Sequence, residues 1–262
     1  PNITKCFSKA LETNKDNSII HGAGLSPITF IMNVFQNKKD KYQELLTKIL
    51  KQDDACYWSN DLLKDLKIFP SVDLKYIYNQ EAVSKEFRDQ YESNKTKTMI
   101  YKQAEEKLYK HYQTNLVEEV AKLQKTINSN QDLDKAIDIM SSMINDKRDY
   151  QIVNTINDNH IDDLPEGSAI EISSRITKDG PMPMHICRLT NQVKGLLQHI
   201  KSFEELIADA IYEKNLDKAS LALKVHPMMY DNHKIEKSFK SFLKSNKKHL
   251  AYYNKEHEDE II

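Results

Sequence analysis

The chain has 262 residues, with 38 Lys and Arg against 39 Asp and Glu, so its formal charge of −1 asks for neither an acidic nor a basic partner. Nucleic acid is therefore not an expected partner. Only 5 Gly and 7 Pro occur, too few tight-turn positions for a many-stranded sandwich or barrel, and a 39% hydrophobic, 29% charged composition reads as helix-rich.

Cys6, Cys56 and Cys187 lie far apart and form no CxxC pair, which favours reduced thiols and a cytoplasmic setting. No run of about 18 apolar residues exists to span a bilayer, and no basic-then-apolar leader opens the chain, so no membrane partner is expected.

In chain order, Ile19 to Phe35 joins two apolar runs through Gly22, Gly24 and Pro27, which predicts a loop with unusual backbone angles at the middle, of the kind that often carries function. Asp40 to Leu50 spaces Tyr42, Leu45, Leu46, Ile49 and Leu50 as an amphipathic helix. A polar loop with Cys56 and Trp58 follows. Pro70 and Ser71 then give a helix start that puts Leu74, Ile77 and Tyr78 on one side, with Asp73 in the first turn.

Residues 80 to 126 are charged and periodic with no Gly or Pro, which predicts one long helix or two stacked ones. An Asn-rich break covers 128 to 132, and Leu133 to Ile144 is another short helix. Ile152, Val153 and Ile156, then Ala169, Ile170, Ile172 and Ile176, read as short strands with turns at Gly167 and Asp179-Gly180. Helices resume beyond Pro183 and end at His226-Pro227, before a charged tail from about Lys234 to Ile262 that is helical at first. The order of helices, small β insert and helices gives a mostly helical α+β domain.

Nine histidines form no HExxH or HxH and no zinc-finger spacing. His160, in NDNHIDD, fits a polar pocket or a solvated turn. Asp73 with Lys75, Tyr76 and Tyr78 fits a ligand site at a helix start, or an Asp favoured there by the helix dipole.

Four segments carry a resemblance. VNTINDNHIDDLPEGSAIEI (153 to 172) resembles, without a gap, the pattern VNxxNxGxIxxLPxxxxVE of glycoside hydrolase family 4, the NAD- and manganese-dependent 6-phospho-glycosidases. Residues 192 to 228 are similar to the family's VKxYExLxxEAAxxGDxxxAxxALxxxPL segment, 21 to 40 to YxGLNHxxFxxxVxxxGxD, and IFPSVDLKYIY (68 to 78) to PSxYLxYYY.

The resemblance implies a C-terminal substrate and oligomerisation domain of the lactate/malate dehydrogenase-like kind. It spans 1–233, a mostly helical domain with a small antiparallel sheet, followed by a charged helical tail over 234–262. Counting back from Pro27 sets the family's CNxP proline on Pro1, so the metal-binding Cys and the Rossmann domain are expected to precede this chain.

It also implies a reaction. NAD oxidises the sugar C3 hydroxyl, a Tyr removes the acidified C2 proton, the leaving group is eliminated, and manganese polarises the sugar oxygens. The metal His of the family falls on Pro27 and the Tyr base on Asp73, a carboxylate too weak to imitate a phenolate unless burial raises its pKa. Arg-Gly-Gly and Tyr-Ser motifs expected before the helix containing Ala136 are missing, and the chain has four Arg in all.

By resemblance, Ser26, Asn154 and Lys75 are the substrate-binding candidates, Asp73 stands at the catalytic position, and this chain offers no metal ligand. The implied partners are a 6-phospho-glucoside or phosphorylated disaccharide and further copies of the chain. NAD and manganese belong to the family, and neither is expected to bind this stretch strongly. A 6-phospho-β-glucosidase-like protein diverged at its catalytic positions is the leading expectation; the alternative is a non-catalytic helical binding or regulatory protein on the same scaffold.

Overall fold

The computed structural model describes residues 7, 18–51, 58–113, 120, 130–229 and 231–250. Cys6 and Cys56 lie outside them.

Strand β1 (Ser18–Leu25) and strand β2 (Ile28–Gln36) form a hairpin, and the short β3 (Lys39–Asp40) folds back on β2. Helix α1 (Tyr42–Leu50) follows, then α2 (Asn60–Leu66), β4 (Phe69–Pro70), a 3₁₀ turn over Val72–Leu74, and α3 (Lys75–Tyr78). Helices α4 (Gln80–Glu92), α5 (Lys97–Tyr112) and α6 (Asn130–Ile144) lead to β5 (Tyr150–Ile156), β6 (Ala169–Thr177) and β7 (Gly180–Pro183). Helices α7 (Asn191–Glu213), α8 (Leu216–Val225) and α9 (Asn232–Ser245) complete the described chain, and α9 runs across position 233. The sheet order is β3-β2-β1-β6-β5, with β4 paired to β2 and β7 to β6. The expected mostly helical α+β domain with a small antiparallel sheet is what forms.

Contacts divide the chain into two compact units, one of Pro1–Gly22, Ile31–Val153 and Ile172–Met184, the other of Ala23–Phe30, Asn154–Glu171 and His185–Ile262. In the first, α1 buries Tyr42, Leu45, Leu46 and Ile49, the face its spacing predicts. Each such side chain contributes about 2 kcal/mol by leaving water. Phe69 receives the rings of Phe7 at 4.9 Å and Tyr42 at 5.4 Å. Trp58 is buried, and its indole N–H donates to the Pro70 carbonyl at 3.1 Å.

Two expectations are corrected and one open alternative is decided. The segment around Gly22, Gly24 and Pro27 is a hairpin rather than a loop with unusual angles, and neither Gly22 nor Gly24 has positive φ. Gly24 is required for space, because a Cβ there would stand 2.2 Å from the Ile28 carbonyl oxygen and 2.9 Å from the Thr29 Cα. Of the two alternatives for the charged stretch, the described residues 80 to 112 take the second and form two helices. Without Gly or Pro the break is made by Asn94 at φ 53°, by the Ser93 hydroxyl donating to the Asp89 carbonyl, and by Thr96 capping α5 through the Met99 N–H. Helix α6 begins at Asn130, inside the stretch expected to be an Asn-rich break.

In the second unit α7 buries Val193, Leu197, Ile200 and Ala210, ends at Lys214 in the left-handed region, and turns onto α8 through Asn215, whose side chain accepts from the Lys218 N–H. Helix α8 packs on both α7 and α9.

Candidate functional site

The richest polar construction of the second unit is the loop between β5 and β6. Asn157 opens it and is 1% exposed. Its side-chain nitrogen donates to the carbonyls of Ile161 (3.0 Å), Leu164 (2.9 Å) and Pro165 (3.1 Å), and its oxygen accepts the N–H groups of His160 and Ile161, both at 3.0 Å. The Asn157 backbone is paired as well, its N–H donating to Ser168 and its carbonyl accepting from Gly167. One amide thus satisfies a loop's worth of buried backbone groups. The Gly of the family pattern stands at Asn159, whose φ of 54° is a conformation Asn tolerates.

The same loop is fastened to the segment before α7. Asp163 pairs with Lys194 at 2.6 Å and accepts the Leu189 N–H at 2.7 Å, while Gln198 donates to the Asp163 carbonyl at 2.9 Å. The hydrogen bond from Lys194 holds the Asp163 carboxyl below its ordinary range, helped by Leu189 against the opposing effect of desolvation. Ile186 donates to the His160 carbonyl, so His160 sits in a turn fixed through its backbone. Lys201, buried on α7, donates to the Ala169 carbonyl at 2.8 Å and to Glu204 at 2.5 Å. Asn157, Asp163 and Lys201 were not singled out from sequence. An Asn opening an Asx-rich turn was a usable signal for the first, but no local pattern marks the other two.

The candidates by resemblance fall as follows. Ser26 and Pro27 form the exposed tip of the β1–β2 hairpin, with a cis peptide between them. Thr29, just beyond, donates its hydroxyl to Glu171. Asn154 is exposed on β5, and β6 separates β5 from β1 in the sheet order. Asp73 and Lys75 belong to the first unit, adjoining each other where the 3₁₀ turn passes into α3, both half-buried. The Lys75 ammonium lies 3.8 Å from Glu86 and 5.4 Å from the centre of the Tyr76 ring, which stacks on Phe87. So the hairpin tip brings Ser26 and Pro27 together, and α3 brings Asp73 and Lys75 together.

Burial pushes the Tyr78 hydroxyl up, away from phenolate, and does the same to Tyr42, which donates to the Lys67 carbonyl at 3.0 Å. The residues do not fit manganese. Proline 27 carries no side-chain donor, and the described residues hold no group of three or more His, Cys, Asp or Glu able to grip a cation.

Comparison with known proteins meets this geometry. The "Probable 6-phospho-beta-glucosidase" of Bacillus subtilis (strain 168) is 28% identical over 258 residues, which cover 95% of this chain and 58% of that protein. The chain thus spans little more than half the length of that relative. Among solved structures, a 6-phospho-alpha-glucosidase from gut microorganisms in complex with NAD and glucose-6-phosphate superposes with a TM-score of 0.78 at 18% identity, covering 95% of this chain and 60% of that one. The 6-phospho-beta glucosidase from Thermotoga maritima, solved with manganese, NAD+ and glucose-6-phosphate, gives 0.72 at 17% identity over 94% and 58%. The family profile described as "Family 4 glycosyl hydrolase C-terminal domain" matches residues 23–229, well over half the chain. This chain therefore belongs to the family 4 glycosyl hydrolase C-terminal domains.

Proposed function

We propose that this chain is the substrate-side domain of a 6-phospho-β-glucosidase-like protein that binds a phosphorylated glucoside and has diverged at the positions where the family does its chemistry. The observation that carries the reading is the profile match across 23–229, together with the bonded loop that the matching motif builds at Asn157. The glucose-6-phosphate of the neighbouring structures supports a phosphosugar as ligand of the intact protein, and their NAD supports a dinucleotide beside it. Ser26 and Asn154, both of the second unit, are side chains proposed to touch the sugar, and both are exposed. Asp73 stands at the position of the lost base.

Pro27 in place of a metal ligand, and Asp73 in place of a phenol, favour a protein that binds without manganese-dependent turnover. A regulatory binding role on the same scaffold is the second reading and rests on the same two residues. Exposed Phe87, Tyr91 and Tyr212 on α4 and α7 support assembly with further copies of the chain. Calorimetric titration of the intact gene product with glucose 6-phosphate tests the reading. Saturable binding weakened at least ten-fold by Asn154→Ala is expected, and no heat of binding from the folded protein would refute it.

A further inference from the structure

We propose that Glu171 is a further sugar-contacting residue, set beside Asn154 so that the two side chains read neighbouring hydroxyls of a phosphosugar. The inference deepens the phosphosugar reading above and rests on it.

The strand register places the two together. The Asn157 N–H donates to the Ser168 carbonyl at one end of the β5–β6 pair, and the Ile176 N–H donates to the Asp149 carbonyl at the other, both at 2.8 Å. A single antiparallel register satisfies both bonds, and in it Asn154 stands opposite Glu171 and Ile156 opposite Ala169. Both are pairs of the kind that exchange no backbone bonds, with Cα atoms about 4.5 Å apart and side chains leaving on the same side. That side is the accessible one. Ile170 and Ile172 are buried, whereas Glu171 between them is half-buried, and Asn154 and Ile156 are exposed.

A third residue orients the carboxylate. Thr29 of β2 donates its hydroxyl to Glu171 although β1 runs between β2 and β6. Gly24, the neighbour of Thr29 on β1, adds no side chain to block the way. The bond gives Glu171 a fixed direction, and a carboxylate with about four acceptor sites takes more than one donor. Thr29, Asn154, Ile156 and Glu171 all belong to the second unit.

A carboxylate only accepts hydrogen bonds, while an amide both accepts and donates. Side by side they match two neighbouring hydroxyls of a pyranose, and exposed Ile156 offers an apolar surface to the C–H groups of the ring. Glu171 repels the phosphate, so the pair reads the ring and turns the phosphate away from it. In a 6-phospho-glucoside the anomeric oxygen carries the leaving group and the 6-oxygen the phosphate. Neighbouring free hydroxyls are therefore the 2- and 3- or the 3- and 4-hydroxyls, and the 3-hydroxyl belongs to either pair.

Calorimetric titration of the intact gene product with glucose 6-phosphate and with 3-deoxyglucose 6-phosphate tests this. The parent should bind the deoxy sugar about ten-fold more weakly, the scale of one hydrogen bond to a charged group. Glu171→Gln should weaken glucose 6-phosphate by about ten-fold and narrow the gap between the two sugars to about three-fold, because an amide replaces the charged acceptor. Glu171→Asp, which draws the carboxylate back by one methylene, should do the same with the charge retained. A structural role alone would weaken both sugars equally and leave the gap as it was, which would overturn the proposal. So would affinities within about two-fold of the parent in both variants. No heat from the folded parent with either sugar would instead refute the phosphosugar reading itself, and this proposal with it.

Discussion

Two segments that both resemble family motifs have fared differently. The loop after Asn157 is saturated with hydrogen bonds, whereas the tip of the β1–β2 hairpin, Ser26-Pro27, stands exposed. A residue that satisfies several buried backbone groups is hard to replace, because each group left unpaired costs about 1–3 kcal/mol. A residue that serves a ligand from an exposed tip has no such hold on the fold. Family membership therefore speaks more firmly for the scaffold than for the chemistry.

Asn157→Ala should be the most damaging change, because the Leu164 carbonyl and the His160 and Ile161 N–H groups lose the bond that the Asn157 side chain gives them, and the Ile161 and Pro165 carbonyls lose one of two or more. A loss of about 4 kcal/mol is expected from the urea midpoint, and a cost under about 1 kcal/mol would dissolve the contrast. The hairpin stem, unlike its tip, should also resist change. Gly24→Ala drives a Cβ into the Ile28 carbonyl and should cost about 3 kcal/mol in the same assay.

Asp163→Asn sharpens the comparison through pH. With its carboxyl held low by Lys194, Asp163 stabilises the fold fully above the unfolded carboxylate pKa of about 3.9, and that contribution is lost as pH falls through the lower folded value. Thermal midpoints should fall less steeply below pH 4 in the Asn variant than in the parent. At the tip, Ser26→Ala should leave stability within about 0.5 kcal/mol, as an exposed side chain predicts. A larger loss there would show that the tip too is held by the fold.

Much of the fold was legible. The buried face of α1 and the strands β5 and β6 follow from apolar spacing, which tertiary packing respected. The hairpin was not, since Gly22, Gly24 and Pro27 read as breakers, and only the distance from Gly24 to Ile28 explains why a glycine sits in a strand. The position of the break at Asn94 also escaped notice, because an Asn in an irregular conformation leaves no mark as plain as Gly or Pro.

Of the site, the motif at 153 to 172 was readable while its physics was not. Asn157 bonds to groups fixed only once the loop has closed, and Asp163 meets Lys194 across 31 positions. Periodicity carries no information at that range.

The most direct test is release of p-nitrophenol from p-nitrophenyl 6-phospho-β-glucoside by the intact gene product, with NAD and manganese supplied together and then each withheld. On the proposed placement of Pro27 and Asp73 at the family's metal-ligand and base positions, no release above background is predicted from folded protein that still binds glucose 6-phosphate. Release that disappears when manganese or NAD is withheld would contradict the account and show that the chemistry has been kept by residues other than those lost.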